Sequence, residues 1–122
     1  MADELKLTVA LRYSKGSVSE DADVVDLGID VAGTQLIHNI QTAPITNDEA
    51  LELGDVGAGG YVFMINRDAT NFVEIRAATN PSADLIKLLP GDPCLFRITG
   101  DCAPYILADT ATCELEYWLF EL

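Results

Sequence analysis

Along the first segment of the chain, Leu7, Val9, Leu11 and Tyr13 alternate with Lys6, Thr8 and Arg12. A period of two places the apolar set on one side of extended backbone and predicts a half-buried strand. Residues 14–21 are polar and read as a turn. A second β-type run follows over 24–31 and stops at Ala32-Gly33. Over 35–41, Leu36, His38 and Ile40 oppose Ile37 and Asn39, and Pro44 then breaks the pattern. Residues 50–53 are too few to separate a short strand from a helical turn. The run Tyr61-Val-Phe-Met-Ile65 is apolar on both faces, as a central strand would be. Turn-forming residues fill 66–71, and 72–76 alternates again, so the two runs predict an antiparallel hairpin. Further short strands are expected at 83–89, 93–98 and 104–108.

The last segment, 111–121, sends Cys113, Leu115, Tyr117 and Leu119 one way and Glu114, Glu116, Trp118 and Phe120 the other. Leu122 extends the second set. Eight or nine short strands, with no helical period sustained over three turns, predict an all-β fold. The expected architecture is an antiparallel β-sandwich or jelly-roll-like barrel, a single domain over 1–122.

Charge narrows the partners. The 122 residues carry 7 Lys and Arg against 20 Asp and Glu, a formal net charge of −13. Such a surface repels phosphate backbones and anionic headgroups, so neither nucleic acid nor membrane is an expected partner. No apolar run approaches the roughly 20 residues of a membrane-spanning helix. The opening MADELKLTVAL has no basic segment leading into an apolar core, which predicts no secretory signal. Cys94, Cys102 and Cys113 match no metal or redox spacing and read as small hydrophobes in a chain made in a reducing compartment.

The sequence offers four candidates for chemistry. GDVGAGGYVF (54–63) has the glycines of a phosphate-binding loop, but no Lys closes it and no helix follows, so it reads as a turn into a strand. Glu20, Asp21, Asp23, Asp26 and Asp30 form an acidic stretch without the alternating ligands and internal Gly of a calcium loop. His38, the only histidine, has no motif supplying a nucleophile or partner, and reads as a core or sheet-face residue. No catalytic, cofactor or metal site is therefore expected. The apolar ending through Tyr117, Trp118, Leu119, Phe120 and Leu122 is the fourth candidate. It is either the second buried side of a central strand or an exposed strip for assembly into a dimer or trimer.

From the glycine loop onward, the order of short motifs resembles a group of small phage virion proteins. The residues that carry the likeness are Leu53-Gly-Asp55, Gly60-Tyr-Val-Phe63 and Asn66-Arg-Asp-Ala-Thr-Asn-Phe-Val-Glu-Ile75. They continue with Lys87-Leu-Leu-Pro-Gly-Asp92, Leu95-Phe-Arg97, Tyr105-Ile-Leu107 and Glu116-Tyr-Trp-Leu-Phe-Glu121. Together they span about residues 51–122. Cys94 and Cys102 stand where the pattern has Ala or small polar residues. The resemblance implies a non-enzymatic component of the virion exterior, made in the host cytoplasm. Its preferred form is a capsid decoration or cement protein that binds the major capsid protein. A tail or head–tail connector component, or a sugar-binding sandwich on a virion appendage, remains the alternative.

Overall fold

The computed structural model describes residues 3–57, 59–79, 84–99 and 102–121. The chain divides into two compact units, 1–32 and 33–122. Among the described residues it is all-β, 59% strand and without helix, and every ladder is antiparallel.

The first unit is a hairpin of β1 (Leu5–Lys15) and β2 (Val18–Ile29). The polar turn expected over 14–21 shrinks to Gly16-Ser17. Gly16 takes a φ of 59°, the left-handed geometry that lets two residues reverse a twisted ribbon. Ser19, Glu20 and Asp21 are thereby paired strand residues, opposite Ser14, Tyr13 and Arg12. The register slips between Leu7 and Val9, where Asp26 adopts a φ of 52° and donates its backbone N–H to Thr8 Oγ1 at 3.1 Å. This bulge keeps one face apolar on both of its sides. That face, expected to be half-buried, is largely exposed, with Leu11 at 68% and Tyr13 at 52%. A two-stranded ribbon has no second layer to cover it.

All strands of the sandwich come from the second unit. They are β3 (Leu36–Ala43), β4 (Glu49–Ala50), β5 (Gly59–Asn66), β6 (Val73–Arg76), β7 (Ile86–Leu88), β8 (Pro93–Arg97), β9 (Tyr105–Ala108) and β10 (Cys113–Glu121). One sheet runs β3-β10-β5-β8 and the other β4-β9-β6-β7. Thus β3 pairs with β10, β4 with β9, β5 with β8 and β6 with β7, as though one long ribbon were doubled between β6 and β7 and then coiled into two layers. Val62, Met64, Cys113, Leu115, Tyr117 and Leu119 of the first sheet meet Val73, Ile75, Leu88, Ile106 and Ala108 of the second in one buried cluster. The alternation in the sequence is the cause: each strand contributes every second residue to the core.

The hairpin expected from residues 61–65 and 72–76 does not form, because β5 and β6 lie in different sheets. Both edges of β5 are occupied, by β10 and β8. The connection is an arch fixed by side chains and not a tight turn. Asn66 Oδ1 accepts from Asp68 N, and Asp68 Oδ2 accepts from Thr70 N and Asn71 N at 2.9 and 2.6 Å. These bonds carry the chain across the core, so that the inward sides of β5 and β6 face each other. Hydrogen bonds from Asn71 and Thr70 also hold the Asp68 carboxyl below its ordinary pKa.

Candidate functional site

The glycine loop does hold an anion, and the anion is the chain's own. Glu121, at the end of β10, accepts from Gly57 N through Oε2 at 2.9 Å and from Thr34 N through Oε1 at 2.9 Å. The carboxylate thus ties the 54–57 loop to the segment entering β3. Gly33 has no side chain to block this approach, since a Cβ there would lie 2.5 Å from Glu121. The left-handed residue of the loop is Gly54, with a φ of 59°. Gly60 is a buried strand residue whose carbonyl accepts from Ile98 N. The loop is a turn closed by the chain's own carboxylate.

The C-terminal candidates separate by strand parity. Tyr117 and Leu119 are fully buried in the core, and the Tyr117 hydroxyl donates to the Glu52 carbonyl, so neither is available to a partner. Trp118 and Phe120 occupy the outward face of the same strand, half-buried. Leu122 lies outside the described residues.

That outward face brings aromatic, apolar and charged side chains together. Register places Trp118 between His38 of β3 and Phe63 of β5, with Leu95 of β8 beyond. The His38 ring stacks on the indole at 4.4 Å between centroids and 12° between planes, and Phe63 tilts against it at 5.5 Å. Leu36 and Ile40 flank His38 on β3 at 58% and 54% exposure. Beside the rings, Glu116 takes His38 Nε2 on Oε2 and Arg67 on Oε1, both at 2.7 Å. His38, and then Arg67, depress its pKa. The carboxylate is thereby neutralised where it borders an apolar surface, which lowers the cost of covering it. His38 is a sheet-face residue hydrogen-bonded to Glu116. The indole face it covers is also closed to a stacking sugar.

Alternation did not foretell the other end of the sandwich, where Arg76 bridges Asp48 at 3.1 Å and Asp84 in an ion-pair cluster joined by Thr79. Next to it a cavity of about 310 Å³ is lined by Ile75, Leu85, Phe96, Ile98, Cys102 and Pro104. Arg76, an alternating residue of a short strand, gave no sign of its partners because neither carboxylate belongs to a recognisable motif with it, Asp48 lying 28 residues away and Asp84 eight. The acidic stretch of the hairpin pairs in part with Arg12, whose guanidinium lies 3.4 Å from Asp23. Among the described residues no three His, Cys, Asp or Glu side chains converge on a cation position. Cys94, Cys102 and Cys113 are free thiols, half-buried, exposed and buried in that order.

Fold and site together define an all-β antiparallel sandwich with an aromatic outer sheet face. Compared with protein-family models, with curated proteins and with solved structures, the chain finds no match.

Proposed function

We propose that this protein is a structural component of a phage virion, acting as a capsid decoration protein that binds the major capsid protein where capsomers meet. The observation that carries the reading is the outward face of Trp118, Phe63, Leu36 and Ile40, an aromatic-apolar platform whose neighbouring carboxylate is already neutralised. Such a platform fits a protein surface, with an apolar centre and polar rim. Two further points support it. The strand order β3-β10-β5-β8 over β4-β9-β6-β7 supports reading the sandwich as a jelly roll, an architecture used by viral capsid and lectin domains. The motif order from Leu53 to Glu121 resembles small virion proteins.

The physical demands of the role agree with the chain. A cement reinforces joints under internal pressure, and a doubly layered fold closed by long-range ladders is stiff. A net charge of −13 keeps decorated particles apart and away from the packaged genome. Symmetry repeats each contact over the shell, so modest affinity at one site suffices.

Quantifying the protein in purified virions, with its density located by cryo-electron microscopy, tests the proposal. Hundreds of copies on the outer shell are expected, and Trp118→Ala is expected to leave the fold intact and weaken decoration. A count near a dozen, in a ring at the neck or tail, would replace the decoration reading with a connector. Absence from particles would end the virion reading.

A further inference from the structure

We infer that the β1–β2 hairpin is a self-association element, its apolar face packing against the same face of a second copy of this chain. The inference does not rest on the virion reading.

The register defines the face. Leu5, Leu7, Val9, Leu11 and Tyr13 of β1 stand opposite Ile29, Leu27, Val24, Ala22 and Glu20 of β2, and Lys15 stands opposite Val18. Val9, Leu11, Tyr13, Val18, Val24 and Leu27 are each at least 45% exposed. An isolated two-stranded ribbon is at best marginally stable in water, and it gains independence only by acquiring another layer. These six side chains present apolar surface on the order of 500 Å², in the upper range for any patch on a monomer. Two such faces brought together bury about 1,000 Å², the size at which a specific interface begins. Stacked sheets about 10 Å apart would turn two ribbons into a four-stranded sandwich.

Charge selects a second copy as the occupant. Two molecules that each carry −13 repel, and most surfaces of the chain would meet with like charge. On this face the only charged strand residues are Lys15 and Glu20, of opposite sign and near the tip. Asp21 and Asp23 project from the other face, along with Lys6 and Arg12. In a twofold pairing with the ribbons parallel, β1 of one copy lies over β2 of the other. Lys15 then approaches Glu20 of the second copy, and the charged faces point outward into solvent. An isologous contact of this kind closes on itself as a dimer.

Sedimentation velocity of the full chain over a micromolar concentration series tests the inference without any shell present. The chain is expected to sediment as a dimer. Leu11→Asp or Val24→Asp should weaken dimerisation by about a hundredfold or more, because a charge is then buried without a partner. Lys15→Glu should weaken it by about tenfold, and Lys15→Glu combined with Glu20→Lys should restore it. Trp118 fluorescence and thermal unfolding of the sandwich should be unchanged in every variant, which separates lost association from lost folding. Three results would each overturn the inference: a monomer or trimer for the unmodified chain, a dimer that survives Leu11→Asp, or a dimer abolished by Trp118→Ala. A monomer that loses shell binding on Leu11→Asp would assign the face to a shell protein instead.

Discussion

Replacing Asn66 by Asp exchanges one amide nitrogen for an oxygen and tests what holds the sandwich closed. Asn66 is fully buried, and its Nδ2 donates both hydrogens, to Asn71 O at 2.9 Å and Leu88 O at 3.0 Å. Its Oδ1 accepts from Asp68 N at 2.9 Å, and its backbone carbonyl accepts from Gly91 N. One side chain thus joins β5, the arch to β6 and the end of β7. In Asn66→Asp, an oxygen faces two carbonyl oxygens. Two hydrogen bonds worth about 1 kcal/mol each are lost, and the stranded buried groups add about 1–3 kcal/mol. The expected loss near neutral pH is about 3–5 kcal/mol, or about 15–30 °C in Tm for a unit of this size. Burial raises the new carboxyl's folded pKa above its unfolded value, so the protonated form is favoured in the native state. Its stability is then retained below the unfolded pKa and lost as pH rises through the folded one. Protonation also returns one donor, so about half of the loss should be recovered near pH 4. Urea denaturation followed by Trp118 fluorescence, with the unmodified chain at each pH, reads the difference. A loss below about 1 kcal/mol at neutral pH, or an equal loss at both values, would refute the reasoning.

The Glu116 carboxyl has a folded pKa below its ordinary 4.5, so the stability it contributes is present above that value and lost as pH falls through the depressed one. Melting curves across acid pH should therefore show the gap between the unmodified chain and Glu116→Gln closing on acidification. Gly91→Ala should cost about 1 kcal/mol by chemical denaturation, from strain alone. Its φ is 85°, and a Cβ there meets nothing within 4 Å. Desolvation, then Asp68 and Asp109, push the buried Cys113 thiol to about 11, whereas Cys102 is exposed. A thiol reagent at neutral pH, read by peptide mass spectrometry, should label Cys102 first and reach Cys113 only on unfolding.

Strand existence was legible in the sequence wherever burial enforces a period of two. The parity of β10 is the clearest case: Cys113, Leu115, Tyr117 and Leu119 are all buried, as their alternation requires. Strand partnership was not legible. The 61–65 and 72–76 runs alternate as a hairpin would, and what separates them is Asn66 and Asp68 bonding the backbone of the arch. Residue type announces a turn at 66–71 but not its direction. The hairpin misled in the opposite sense, since Leu7 through Tyr13 carry the pattern of a buried face without a layer above them. Alternation reports a face that water disfavours, and it is silent on whether the same chain covers it. The site divides along the same line. His38 is 78 residues from Glu116, which stands two before Trp118, and only the β3–β10 register sets ring on ring and carboxylate beside both.

Two of the motifs behind the proposed likeness to virion proteins come together in the fold. The Asn66–Ile75 and Lys87–Asp92 segments meet at one end of the sandwich. There Gly91 N donates to Asn66 O, Asn66 N donates to Asp92 O, and Leu89 N donates to Asp92 Oδ2. These residues close the fold. In the final strand the pattern names the inward Tyr117 and Leu119 and leaves position 118 open, where this chain places the indole that His38 covers. The likeness therefore bears most directly on how the ribbon is wound. Leu36, His38 and Ile40, together with the hairpin over 5–29, lie outside residues 51–122, where the proposed likeness rests. Under the proposed readings, those surfaces and the outward Trp118 are the ones that would meet a shell or a second copy. For that reason the Leu11 and Trp118 variants probe function, and the Asn66 variant probes only architecture.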